Sequence, residues 1–157
     1  VRAGIQAIRD GAPIWPDSRM AAAGLSTAKL EAVNESYALL QASSLFDQPG
    51  LTTVAQDRGL TLSAAAFHQA QQRLPGSIVT IGNAPTALET VLDLIAGGMP
   101  PPALIVGMPV GFVGAVESKD RLLAESPCPL ITIQGRRGGS NLAAATVNAL
   151  AVLAAES

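Results

Sequence analysis

The chain is poor in aromatic residues, which make up 3 % of its 157 positions, and it carries one cysteine and one histidine. With no basic run, almost no ring to stack on a base and a net charge of −2, a nucleic-acid-binding surface is excluded as a leading reading. Cys128 alone permits neither an internal disulfide nor a thiolate zinc cage. It lies in Ser126-Pro127-Cys128-Pro129 on the way into a strand, with no base nearby, and is read as a packing residue. Charge is scarce as well: 14 % of residues are charged and the mean hydropathy is +0.34, against roughly 25 % charged in ordinary soluble domains.

So few charges coat a monomer poorly, which leaves a membrane span or a covered apolar surface. The longest apolar stretch, Leu142 to Ala155, is broken by Thr146 and Asn148 and falls short of the ~20 residues a span requires. Self-association is the better explanation. No targeting segment is visible, which points to a cytoplasmic protein. The chain begins Val1-Arg2, and the expectation is a single domain over 1–157 that lacks an N-terminal segment.

What is present is an alternation of short apolar runs and helical patterns. Val1, Ile5 and Ile8 share a helical face that Gly11 ends. Pro13-Ile14-Trp15 then reads as a strand that Pro16 keeps short or at an edge, followed by a loop, Asp17-Ser18-Arg19-Met20. Further strands are expected over Ser36 to Gln41, Ser77 to Ile81, Ala103 to Val106 and the run ending at Ile133. Helices are expected over Leu51 to Asp57, from a Thr61-Leu62-Ser63 cap to about Arg73, through Leu88 and Ile95, over Ala115 to Glu125, and from Leu142 onward. The last is apolar nearly all round, so both its sides are expected to be covered. Such a pattern predicts a doubly wound α/β fold, a mostly parallel sheet with helices on both faces.

In that fold ligands bind beyond the carboxyl ends of the strands, where three glycine loops fall. Gly135-Arg136-Arg137-Gly138-Gly139-Ser140 puts two guanidinium groups beside the positive end of a long helix. Without an anion between them this costs a few tenths of a kcal/mol to ~1 kcal/mol. A pocket for carboxylates or phosphates is the inference, with Arg136 ahead of Arg137. No Gly-x-Gly-x-x-Gly or Gly-Lys-Ser/Thr loop is present, so a nucleotide is not favoured. Asn83 is read first as a helix cap before Pro85, while the Thr86 hydroxyl lies at the pocket rim. Phe112, beside Gly111, is either core or the wall for a flat ligand. Asp17, directly after a strand, either orients a ligand or bonds its own turn. His68 is read as a half-exposed helix residue rather than an acid–base catalyst, and no metal cluster emerges.

Six motifs match a known family in order and spacing. They are Gly11-Ala12-Pro13-Ile14, Arg19-Met20 with Gly24, Ser63-Ala64-Ala65-Ala66, Gly82-Asn83-Ala84-Pro85-Thr86-Ala87-Leu88, Pro109 to Lys119, and Gly135 to Ser140. Over about residues 2–151 the chain resembles precorrin-8X methylmutase, a family that includes the cobalt-precorrin-8 enzymes. The resemblance implies an isomerase of cobalamin biosynthesis that moves a methyl group on ring C of a corrinoid. The product would be hydrogenobyrinic acid, or cobyrinic acid in the cobalt form. It implies a homodimer with sites at the subunit interface, and neither a cofactor nor a resident metal. Corrinoid contacts would fall on Asp17, Met20, Ser63, Asn83, Thr86, Gly111, Phe112, Arg136, Arg137 and Ser140. The family's proton donor is a histidine on a segment preceding the first aligned helix. His68 does not match it, so the catalytic residue is unassigned. Leu62 stands where the family usually has arginine, and the stretch between Asn34-Glu35 and Thr61 is longer than usual. A non-catalytic corrinoid-binding or scaffold protein is the alternative reading.

Overall fold

The computed structural model describes residues 1–34 and 45–156. In chain order the elements are α1 (Arg2–Arg9), β1 (Ile14–Pro16), α2 (Arg19–Gly24), α3 (Thr27–Glu31), α4 (Leu51–Arg58), α5 (Leu62–Gln69), a 3-10 turn (Gln71–Arg73), β2 (Ile78–Ile81), α6 (Pro85–Ala96), β3 (Leu104–Gly107), α7 (Ala115–Glu125), β4 (Leu130–Thr132) and α8 (Ser140–Glu156). The described strands form one sheet in the order β1-β2-β3-β4, and every pairing is parallel. The α/β expectation holds, and so do most of the element positions. The strand expected over Ser36 to Gln41 lies outside the described residues.

Alternation along the central strands sends successive side chains to opposite faces. Val79, Ile81 and Ile105 enter one core with Phe67, Leu88, Leu92 and Leu122 from α5, α6 and α7. Ile78, Leu104 and Val106 enter the other with Ile8 of α1, Leu30 of α3 and Val147 of α8. β2 and β3 are therefore buried throughout, which is why they read as unbroken apolar runs. Pro16 sits in β1, which pairs only with β2 among the described strands, so its missing donor costs no ladder bond.

Two features differ from the expectation. Residues 17–20 are not simply a loop, because Ser18 caps α2 by accepting the Ala21 N–H at 3.0 Å. Ser26 caps α3 in the same way. Both helices are too short for an apolar period to announce them, and the two serines were the available signal. The outer side of α8 is only partly covered by the described residues. Leu142, Val152 and Leu153 are exposed there, while Ala143, Val147 and Leu150 face the core. Near-uniform apolarity therefore marks a helix with one side in the fold and one side left open. α8 is fixed against the amino-terminal helices by polar clamps. The Arg9 guanidinium donates to the Ala154 carbonyl. Asn148 accepts from the Ser26 N–H and donates to the Gly24 carbonyl, each at 2.8 Å.

Candidate active site at the carboxyl rim of the sheet

The loops leaving β2, β3 and β4 meet backbone to backbone. A Cβ on Gly82 would stand 2.6 Å from the Ser140 Cα, and one on Gly138 would stand 2.2 Å from the Met108 carbonyl oxygen. Only glycine permits this approach. The Gly139 N–H donates to that same Met108 carbonyl at 2.9 Å. The start of α8 is thus pressed between the loops that follow β2 and β3.

Buried polar groups fix these loops from below. The Asp17 side chain is fully buried, and its carboxylate accepts the backbone N–H groups of Gly82, Asn83 and Ala84 at 3.0, 2.8 and 2.6 Å. Burial pushes its carboxyl pKa above the ordinary carboxylate value, and those backbone donors pull it back. Lys119 of α7 is also fully buried. Its Nζ donates to the Arg137 carbonyl at 2.6 Å, which ties down the arginine turn, and burial lowers its pKa from the usual lysine value. Ser18 and Ser140 share a hydroxyl contact of 3.0 Å. The Ser63 hydroxyl donates to the Asp17 carbonyl at 3.3 Å. Thr61, the cap of α5, meets the Thr86 hydroxyl at 2.7 Å.

Above this frame the rim is open. Positive φ at Gly111 and Gly114 shapes a loop on which Phe112 and Val113 are 87 % and 89 % exposed. Phe112 is therefore not core. The Arg136 guanidinium lies over its ring, 5.7 Å from the centroid, so a cation and a flat apolar surface stand together at the end of β4. Arg137, Asn83 and Thr86 are exposed as well, and Met20 is exposed in the first turn of α2. Beside that turn, Arg19, Phe46, Gln48, Leu51 and Leu62 line a cleft of about 560 Å³, and Arg19 reaches Asp47 at 3.4 Å. Leu62 is half exposed there.

The expected residues thus divide in two. Phe112, Arg136, Arg137, Asn83, Thr86 and Met20 offer surface to a ligand. Asp17 is sealed beneath the loop it bonds, and its own backbone N–H also acts on its carboxylate, so it holds the turn from below rather than facing the open rim. Ser140 is buried at the start of α8, Gly111 shapes its loop, and Ser63 is half-buried against Asp17. Asn83 does not cap α6: Ala84 occupies that position without a side-chain bond, and the Asp17 carboxylate instead takes the N–H groups of Gly82, Asn83 and Ala84 just ahead of the helix. The sequence identified Thr61 as the cap of α5 but not its contact with Thr86, and it missed Ser18 and Lys119. Ser18 carried a capping signal, and Lys119 sat inside the Pro109 to Lys119 motif with no role attached.

Elsewhere, His68 Nε2 on α5 accepts a hydrogen bond from the exposed Arg58 guanidinium at 2.8 Å. Cys128 packs against the core formed by α5, α6 and α7, and burial raises its thiol to about 11. Among the described residues no group of three or more His, Cys, Asp or Glu side chains is placed to hold a metal, and no helix is long and apolar enough to cross a membrane.

A parallel α/β fold with cations and an exposed ring above a locked carboxyl rim defines the class: a parallel α/β protein with a candidate ligand site at its strand ends. The particular family follows from comparison with known proteins. The precorrin-8X methylmutase family model matches residues 1–153, and the chain belongs to that family, isomerases of cobalamin biosynthesis. It is 48 % identical over 150 residues to a precorrin-8X methylmutase of Pseudomonas aeruginosa, covering 95 % of this chain and 69 % of the relative. A cobalt-precorrin-8 methylmutase of Synechocystis is 38 % identical, with 96 % and 65 % covered. The chain thus spans about two-thirds of the length of these curated relatives. The solved precorrin-8X methylmutase of Thermus thermophilus superposes with a TM-score of 0.79 at 39 % identity, over 99 % of this chain and 73 % of that one.

Proposed function

We propose that the protein binds precorrin-8X, or its cobalt form, and migrates a methyl group on ring C from the ring-junction carbon to its neighbour. The observation that carries this is the Arg136–Phe112 pair, a guanidinium over an exposed ring at the rim. Such a pair suits a flat conjugated macrocycle edged with carboxylates. The shift rearranges one π-system and leaves the atom count unchanged, so no covalent nucleophile is required. The protein's part is to hold one conformer and tautomer and to stabilise charge as it develops. Arg136 and Arg137 would take the substrate's acid groups, Phe112 and Met20 its ring, and Asn83 and Thr86 its polar edge. No proton donor is assigned among these residues.

The open side of α8, with Leu142, Val152 and Leu153 exposed, supports a homodimer as the working form. We place the reaction in the cytoplasm. Mixing the purified protein with precorrin-8X and following the visible spectrum tests the reading. Conversion to the product spectrum supports it. A static shift without conversion supports the non-catalytic corrinoid-binding alternative, and an unchanged spectrum contradicts both.

A further inference from the structure

At the end of β1, one dipeptide touches three of the elements that build the rim. Asp17 bonds the backbone of Gly82, Asn83 and Ala84, and its own carbonyl accepts the Ser63 hydroxyl at the start of α5. Ser18 meets Ser140 at the start of α8. Consecutive backbone N–H groups converging on one point form an anion-binding concavity. Here an internal carboxylate already fills it. The twelve-residue α6 starts at Pro85 and has no side-chain cap from its own loop; Asp17 bonds the backbone as far as the Ala84 N–H at its entry, where a carboxylate suits the positive end of a helix.

We propose that Asp17 is a positioning residue of the substrate site: by filling the Gly82–Ala84 concavity it sets where Asn83 and Thr86 stand and turns the substrate's acid groups toward Arg136 and Arg137. The second half rests on the corrinoid reading above; the anchoring of the loop does not. Asparagine cannot replace the aspartate. A carboxamide offers one oxygen to three donors, and its NH2 would face an N–H group.

The test compares wild-type protein with Asp17→Asn and Asp17→Glu by amide hydrogen exchange and by visible titration with hydrogenobyrinic acid. In Asp17→Asn, exchange at Gly82, Asn83 and Ala84 is expected to quicken tenfold or more. Amides of β3 and α7 should keep their protection, and the corrinoid Kd should rise about tenfold. Unchanged exchange at the three amides, or protection lost equally across β2 and β3, overturns the anchoring role. Wild-type corrinoid affinity in a variant with a loosened loop overturns the link to the site. If Asp17→Asn does not fold, Asp17→Glu, which keeps the charge but displaces the carboxylate, should show the same local signature, and wild-type behaviour there overturns the proposal. A wild-type protein that does not bind the corrinoid sinks the functional reading instead, while the exchange data still decide the anchoring.

Discussion

Gly135 and Gly138 belong to one turn, yet they live in different worlds. A Cβ on Gly138 would collide with the backbone of Met108 and Pro109, whereas one on Gly135 would meet nothing within 4 Å. The inner half of the turn is jammed into the seam between three strand-end loops. The outer half carries Arg136 into solvent over Phe112. The difference shows how the rim is built: a rigid lower layer, held by glycine contacts and the buried charges of Asp17 and Lys119, presents an upper layer with few contacts of its own. Upper-layer residues should govern affinity and the glycine seam of the lower layer stability, with Asp17 linking the two through the loop it holds.

The largest break in that contrast comes from Gly138→Ala. The backbone cannot yield as a flexible side chain would, so a loss of about 3 kcal/mol is expected by denaturant unfolding. Gly135→Ala, where φ is +78° but space is open, should cost only ~1 kcal/mol. Equal costs would remove the distinction between the layers. In the upper layer, Phe112→Ala should weaken corrinoid binding about tenfold while leaving the unfolding midpoint in place, since the ring is already in water. A Phe112→Ala protein that unfolds early would show that the ring packs after all.

Smaller effects sharpen the picture of the lower layer. The Thr80 hydroxyl is fully buried without a hydrogen-bond partner among the described residues, a costly arrangement, so Thr80→Val should stabilise the fold by about 1 kcal/mol. A destabilised variant would reveal a partner for that oxygen. Cys128 should react with iodoacetamide at pH 8 about a hundredfold more slowly than an ordinary thiol, because a pKa raised to about 11 leaves little thiolate. The sign is fixed: reactivity should rise as pH climbs toward that value, and a fast reaction at pH 8 would contradict burial.

Much of this was legible in residue order. β2 and β3 announced themselves because both faces are covered, and α7 appeared at its observed bounds because Gly114 and Ser126, both with positive φ, punctuate it. The glycine loops were placed correctly at the carboxyl rim. The roles of Asp17 and Asn83 were not readable. A sequence shows that an aspartate follows a strand, but not that a neighbouring loop will fold its amides over it. Capping between elements leaves no spacing signature, unlike the local caps at Thr61 and Ser26. The open side of α8 was hidden for a related reason, since an apolar surface facing solvent and one facing a core have the same composition.

The most direct test of the central claim is a visible titration of wild type, Arg136→Ala and Arg73→Ala with hydrogenobyrinic acid. Arg73 is the fitting control, because its guanidinium stacks on Trp15, 5.1 Å from the ring centroid, rather than at the rim. A carboxylate held by Arg136 predicts a loss of about tenfold or more for Arg136→Ala and wild-type affinity for Arg73→Ala. Equal affinities for the two variants would contradict it.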